Sequence, residues 1–193
     1  MEQACMKRYV ALLRGINLGG KNKILMHDLQ KAFLDLGFAE VETILNSGNI
    51  LFSASSASRK QMSRQIAEKV QDAFGYAIPV SVVEFGHLQH VLDHAPSWWD
   101  TDDKSRYHNL IFILTDESPQ AICQLVGEPS EGKEKIEVFE DVIFWSYDLG
   151  CYQKCSWWNR TAAKGIAEKL TIRTGNTIRK ICRKQGKRNE KVV

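Results

Sequence analysis

The same order of elements can be read twice along this chain, and that repetition limits the available folds more than anything else in the sequence. Arg8–Leu13 has the unbroken apolar character of a buried strand, and a Gly/Asn/Lys loop follows at Gly15–Lys23. Leu29, Ala32, Phe33 and Leu36 recur at helical spacing within Met26–Leu36, with Gly37 placed to end the helix. Val41–Leu45 and Ile50–Ser53 flank Asn46-Ser47-Gly48-Asn49, a turn sequence, and so predict a hairpin. Ser58 with Gln61 suggests a capping box. Met62, Ile66, Val70 and Ala73 then form one helical stripe that Gly75 closes, and Pro79–Phe85 is a further strand. The order is β-α-β-β-α-β, that of ferredoxin-like folds.

The second half repeats it. Tyr107–Leu114 is an apolar strand, and Ser118-Pro119 starts a helix through Val126, with proline at the first helical position. Lys135–Phe139 and Val142–Tyr147 pair across Glu140-Asp141. A helix is expected near Trp157–Lys169, a short strand at Leu170–Ile172 and a last helix over Gly175–Lys184. The predicted architecture is α+β: two tandem ferredoxin-like (βαββαβ) subdomains with antiparallel sheets, plus a C-terminal helix. The N-terminal subdomain takes residues 1–85 and the C-terminal subdomain 107–193. Residues 86–106 form a linker with a short helix at Gly86–His94 and an irregular stretch bearing Trp98-Trp99. The repeat is one of element order and not of residues.

Bulk properties fit that reading and exclude others. With 193 residues, 44% hydrophobic and 25% charged, the chain can bury a core without staples. Its longest apolar runs are five residues, against about 20 for a membrane helix, and Arg14 interrupts the first of them, so no span or leader is expected. Five scattered cysteines (Cys5, Cys123, Cys151, Cys155, Cys182) are odd in number and lack a second zinc-spaced pair, which points to reduced thiols and a cytoplasmic protein. The net charge of +3 is unevenly spread: residues 171–193 hold eight Lys/Arg and one acid, whereas the rest is net acidic.

The run Tyr9-Val10-Ala11-Leu12-Leu13-Arg14-Gly15-Ile16-Asn17-Leu18-Gly19-Gly20-Lys21-Asn22-Lys23, with Leu36-Gly37-Phe38 and Asn46–Phe52, closely resembles the opening of domain-of-unknown-function family 1697. The resemblance extends from Met6 to about Ile181. Near its end the family reads roughly Thr-x-Arg-Asn-Trp-Asn-Thr, where this chain has Thr171-Ile172-Arg173-Thr174-Gly175-Asn176-Thr177. Arg173, Asn176 and Thr177 match, and Thr174 and Gly175 replace Asn and Trp. The resemblance implies a two-subdomain α/β fold with ferredoxin-like halves and supplies no activity.

Motifs narrow the chemistry without fixing it. Gly15–Lys21 fits G-x₄-G-K, but Asn22 stands where a P-loop needs Ser/Thr for Mg²⁺, and the strand order is wrong for a parallel P-loop sheet. The glycines could still gather backbone N–H groups into an anion nest beside Arg14, Lys21 and Lys23; a purely structural loop tied by Asn17 and Asn22 is the competing reading. The candidate ligand contacts are Arg14, Gly15, Asn17, Gly19, Gly20, Lys21, Asn22, Lys23, Ser47, Asn49, Arg173, Asn176 and Thr177. His87, His90 and His94 share a helical face but lack a completing ligand of fixed spacing, so no metal and no cofactor is expected. No catalytic residue can be named: there is no nucleophile elbow, and Cys155 has no evident base. The basic stripe of Arg179, Lys180, Arg183, Lys184, Lys187 and Arg188 suits a nucleic-acid backbone or an anionic membrane surface, and is also what a solvated helix face looks like. Three functions stand open: a binding module for an anionic ligand (nucleic acid or a phosphate-bearing small molecule), an enzyme acting on a small phosphorylated or nucleotide-like substrate in the inter-subdomain cleft, and a structural or interaction module using exposed tryptophan.

Overall fold

The structure, a computed structural model, describes residues 6–55 and 58–189, the side chains of 187–189 excepted. The chain divides into two compact units, Met1–Gln89 and His90–Val193.

In the first unit β1 (Met6–Leu13), α1 (Met26–Asp35), β2 (Ala39–Ile44), β3 (Asn49–Ser55), α2 (Arg59–Phe74) and β4 (Val80–Glu84) build one antiparallel sheet in the order β2-β3-β1-β4. Strand alternation sends Tyr9, Ala11 and Leu13 of β1 to the face that α1 and α2 cover, where they meet Ile50, Phe52, Phe33 and Ile66. Phe52 centres this core, with Phe38 at 4.5 Å and Phe33 and Tyr9 at 5.5 and 5.6 Å. The β2–β3 turn carries Gly48 at φ 75°, and a Cβ there would stand 2.9 Å from Leu13, so only glycine lets the turn close on β1. Ser58 stands at the N-cap of α2 but makes no side-chain cap bond, so the expected capping box is not formed.

The second unit begins within α3 (Phe85–Asp93) and repeats the topology. It contains β5 (Arg106–Ile113), α4 (Pro119–Val126), β6 (Glu134–Phe139), β7 (Val142–Asp148), α5 (Ser156–Thr161), β8 (Leu170–Thr174) and α6 (Gly175–Asn189), with sheet order β6-β7-β5-β8. Ser118 caps α4 by accepting from the Ala121 N–H at 3.1 Å. Ile111, Ile143 and Trp145 face Ile122, Val126 and Trp157 across the core. On the other face His108, Leu110, Phe112 and Phe144 are buried, α6 packs on β5 and β8, and Trp99 lies edge-on to Phe144 at 5.1 Å. The helix expected to reach Lys169 stops at Thr161. Thr161 Oγ1 donates back to Trp157 O at 2.6 Å, Gly165 takes φ 86°, and only a 3₁₀ turn at Ala167–Lys169 precedes β8. Among the described residues no helix is long and apolar enough to cross a membrane.

Candidate functional site

The Gly15–Lys23 loop and the 46–49 turn are brought together. Asn17 is the tie: Nδ2 donates to Ile24 O and Asn46 O, and Oδ1 accepts from Ile24 N–H, each at 2.9 Å. Asn22 Nδ2 donates to Gly15 O at 3.0 Å, and Gly19 and Gly20 form the tight turn that pairs Leu18 with Lys21. In the turn, Asn49 is buried and donates to Ile44 O and Ser47 Oγ, both at 3.1 Å. The polar candidates Asn17, Asn22, Ser47 and Asn49 therefore hold the backbone together, while Lys21 and Lys23 point to solvent and Arg14 is half-buried.

Arg173, Asn176 and Thr177 belong to the second unit. Arg173 is buried on β8, donating to Thr171 Oγ1 and Ile172 O, and burial pushes its pKa down to about 10. Thr174 caps α6: its Oγ1 accepts from Thr177 N–H at 3.2 Å. Gly175 leaves room for Asp100, whose Oδ1 would stand 2.6 Å from any Cβ at 175. That carboxylate lies at the first turn of α6, where the helix dipole favours a negative charge, and 3.4 Å from Arg179. Arg179 also donates to Asn176 Oδ1 at 2.7 Å. Of the basic stripe, then, Arg179 is committed inward. Lys180, Arg183 and Lys184 are exposed, and the side chains of Lys187 and Arg188 lie outside the described residues.

Two hollows at this end of the second unit escaped the sequence reading. The first, of about 460 Å³, has aromatic walls from Tyr107, Trp145, Tyr147 and Trp158, with Asn109, Thr161 and Thr174 as its polar groups. Alternation along β5 and β7 puts Tyr107, Asn109, Trp145 and Tyr147 on the α5 side of the sheet. Trp158, 38% exposed, stands edge-on to Tyr147 and Tyr152 at 5.3 and 5.0 Å. Burial, with Tyr107 beside it, lifts the Tyr147 phenol to about 12, so it stays a neutral donor. The Asn109 side chain, only 4% exposed, pulls the other way by hydrogen bonding to the phenol.

The second hollow, of about 410 Å³, is charged. Asp100, Asp102, Asp103, Lys104, Arg106, His108 and Arg179 line it, and it shares Tyr107 and Thr174 with the first. Arg106 is anchored by Ser146 Oγ and Lys133 O, and Asp103 is held below the usual carboxylate range by the Ser105 hydroxyl and N–H. His108, 8% exposed, has an unpartnered Nδ1, with the Thr101 hydroxyl 3.5 Å from Nε2. Its burial lowers its pKa, so the ring is neutral at pH 7.

Glu134 supports the aromatic wall. Buried at the start of β6, it accepts from Ser130 N–H, Ser156 Oγ–H, the Trp157 and Trp158 N–H groups and Trp145 Nε1–H, and so fixes the first turn of α5. Cys155, beside it, is buried, and burial with the Glu134 charge pushes the thiol up to about 11, far from a nucleophile's range.

The family described as protein of unknown function (DUF1697) has a model that matches residues 6–144, ending inside β7. No curated protein matches the chain. Among solved structures it is similar to the conserved bacterial protein SP0830 from Streptococcus pneumoniae. The two are 26% identical over 92% of this chain and 97% of that one, with a TM-score of 0.79.

Proposed function

The chain belongs to the DUF1697 family of proteins of unknown function, and from that premise we propose that its second unit binds a small planar ligand carrying an anionic group, of the nucleoside monophosphate class. The observation that carries this reading is that the two hollows share Tyr107 and Thr174 in their walls. One offers aromatic faces for a heterocycle, with Asn109 and Thr161 for its polar edge. The other offers both signs of charge: carboxylates such as Asp102 suit a sugar diol, and Lys104, which has no partner among the described residues, suits a phosphate. Beside the charged hollow, His108 leaves a buried ring nitrogen unpaired, and an unpaired buried polar atom is a cost that a ligand can relieve.

The stacked-base faces of RNA-recognition sheets find no counterpart. Val10, Leu12 and Leu51 on one sheet and Leu110 and Phe144 on the other are buried on the faces such proteins leave open. This favours the small-molecule reading over nucleic acid.

The test is a thermal melt of the full chain with adenosine and guanosine monophosphates, the parent nucleosides and inorganic phosphate. A ligand at about 100 times its Kd adds about 2.7 kcal/mol of stability. The expected order of melting-temperature gain is monophosphate, then nucleoside, then phosphate, with Trp158→Ala weakening binding at least tenfold and Lys104→Gln weakening only the phosphorylated ligands. Absence of any gain at millimolar ligand overturns the reading. An enzymatic role would rest on neutral His108 beside Thr101. Release of phosphate or base from the bound nucleotide, lost in His108→Gln, would establish it.

A further inference from the structure

The most distinctive stretch of the sequence spends its asparagines on its own backbone, yet it presents an unusual surface. Leu18, Leu25 and Leu45 are 59%, 72% and 43% exposed. Each adjoins Asn17 or a residue that Asn17 bonds: Leu18 follows it, Leu25 follows Ile24, and Leu45 precedes Asn46. One buried-side hub thus gathers three apolar side chains on the outside of one loop cluster. Leu45 is held there at φ 58°, a left-handed conformation that a leucine adopts at a cost. Local preference and burial would both have placed it elsewhere.

The same loop carries Arg14, Lys21 and Lys23 and no acid from residue 14 to residue 25. Among the described residues none of the three cations has an acidic partner. The nearest acid in sequence, Asp28 on α1, is engaged with His27 at 3.2 Å. Gly19 and Gly20 at its tip are exposed, and a Cβ added at either would meet nothing within 4 Å. Three leucines cannot supply the roughly 1,000 Å² that a stable protein interface buries. Exposed leucines on a loop whose charges are all positive match a partner with an apolar interior and an anionic skin. We infer that the 14–25 loop with the 45–49 turn is a docking surface for an anionic lipid bilayer, the leucines entering the headgroup boundary and Arg14, Lys21 and Lys23 pairing with lipid phosphates.

The experiment is co-sedimentation of the full chain with vesicles of phosphatidylcholine alone and of phosphatidylcholine mixed with phosphatidylglycerol, at about 50 mM and about 500 mM salt, over which the screening length shortens severalfold. Binding is expected to the anionic vesicles only, weakened at least tenfold at the higher salt and at least tenfold in Leu18→Ser/Leu25→Ser. Both positions are exposed, so a melting temperature equal to the wild type's establishes that the variant is folded. As a second readout, Leu18→Trp should shift its emission to the blue on anionic vesicles. A folded wild type that stays in the supernatant at the lower salt, or a double-leucine variant that binds like the wild type, overturns the inference.

Discussion

Glu134 is the residue on which most local structure converges. A buried carboxylate that accepts five hydrogen bonds sets both the first turn of α5 and the indole of Trp145, and its removal strands donors that water cannot reach. Breaking one side of such a buried arrangement costs about 3 kcal/mol or more. Glu134→Ala should therefore lower the unfolding free energy measured in urea by that amount and loosen Trp158, read as a red-shifted tryptophan emission. His108 gives a pH signature. Its burial is the largest influence and holds its pKa below 6.5; Asp100 and Asp103 oppose this, and Arg106 and Arg179 reinforce it. The unfolded chain takes up a proton near pH 6.5 that the folded chain refuses. The stability tied to His108 is thus complete above that pH and is lost as pH falls from 6.5 to the folded value. Asp100, whose carboxyl burial raises above 3.8, acts in the opposite sense in a lower window, gaining on acidification. A melt series from pH 7.5 to 5.0 should fall less steeply in His108→Gln than in the wild type; equal slopes would mean that His108 is not the group titrating.

At the scale of elements, asparagine and threonine do the fastening. Asn17→Ala removes three hydrogen bonds of 2.9 Å that join the 14–25 loop to the 46–49 turn, at about 1 kcal/mol each. The expected loss is about 3 kcal/mol, with faster amide exchange at Ile24 as the local readout. Thr174→Ala removes the α6 cap, worth about 1 kcal/mol. These elements differ in how far the sequence discloses them. The β2–β3 and β6–β7 hairpins, α1, α2 and α4 were legible because their signals are local: periodicity, turn residues, and Ser118-Pro119. The end of α5 was not, since the apolar spacing through Lys169 continues while Thr161 back-bonds and Gly165 turns away. The hollows were illegible for another reason. Tyr107, Asn109, Trp145, Tyr147 and Trp158 come from two strands and a helix, and no local sequence pattern joins them. That Trp157 is buried and Trp158 half-exposed follows from the α5 register that Glu134 sets, which no pair of adjacent tryptophans encodes.

For the whole molecule, the duplication matters because the two units repeat a topology while their surfaces diverge. In the first, the segment between strand one and the first helix is a cation-bearing loop with exposed leucines; in the second, Leu114–Ser118 is short, and the distinctive chemistry sits instead around β5, α5 and the start of α6. Divergence of this kind predicts separable behaviour. Hydrogen exchange on the full chain with a nucleoside monophosphate should slow within residues 99–109, 145–162 and 172–179 and leave 14–25 unchanged. Anionic vesicles should do the reverse. In variants, Trp158→Ala should lose the nucleotide-induced rise in melting temperature and keep vesicle binding, while Leu18→Ser/Leu25→Ser should show the opposite pattern. Changes in different compact units, with no shared partner, are expected to add. The combined variant should then lose both responses while its melting temperature without ligand equals the sum of the two single effects. If instead the nucleotide protects the 14–25 loop, the two sites are energetically coupled, and each must then change the other's affinity by the same factor.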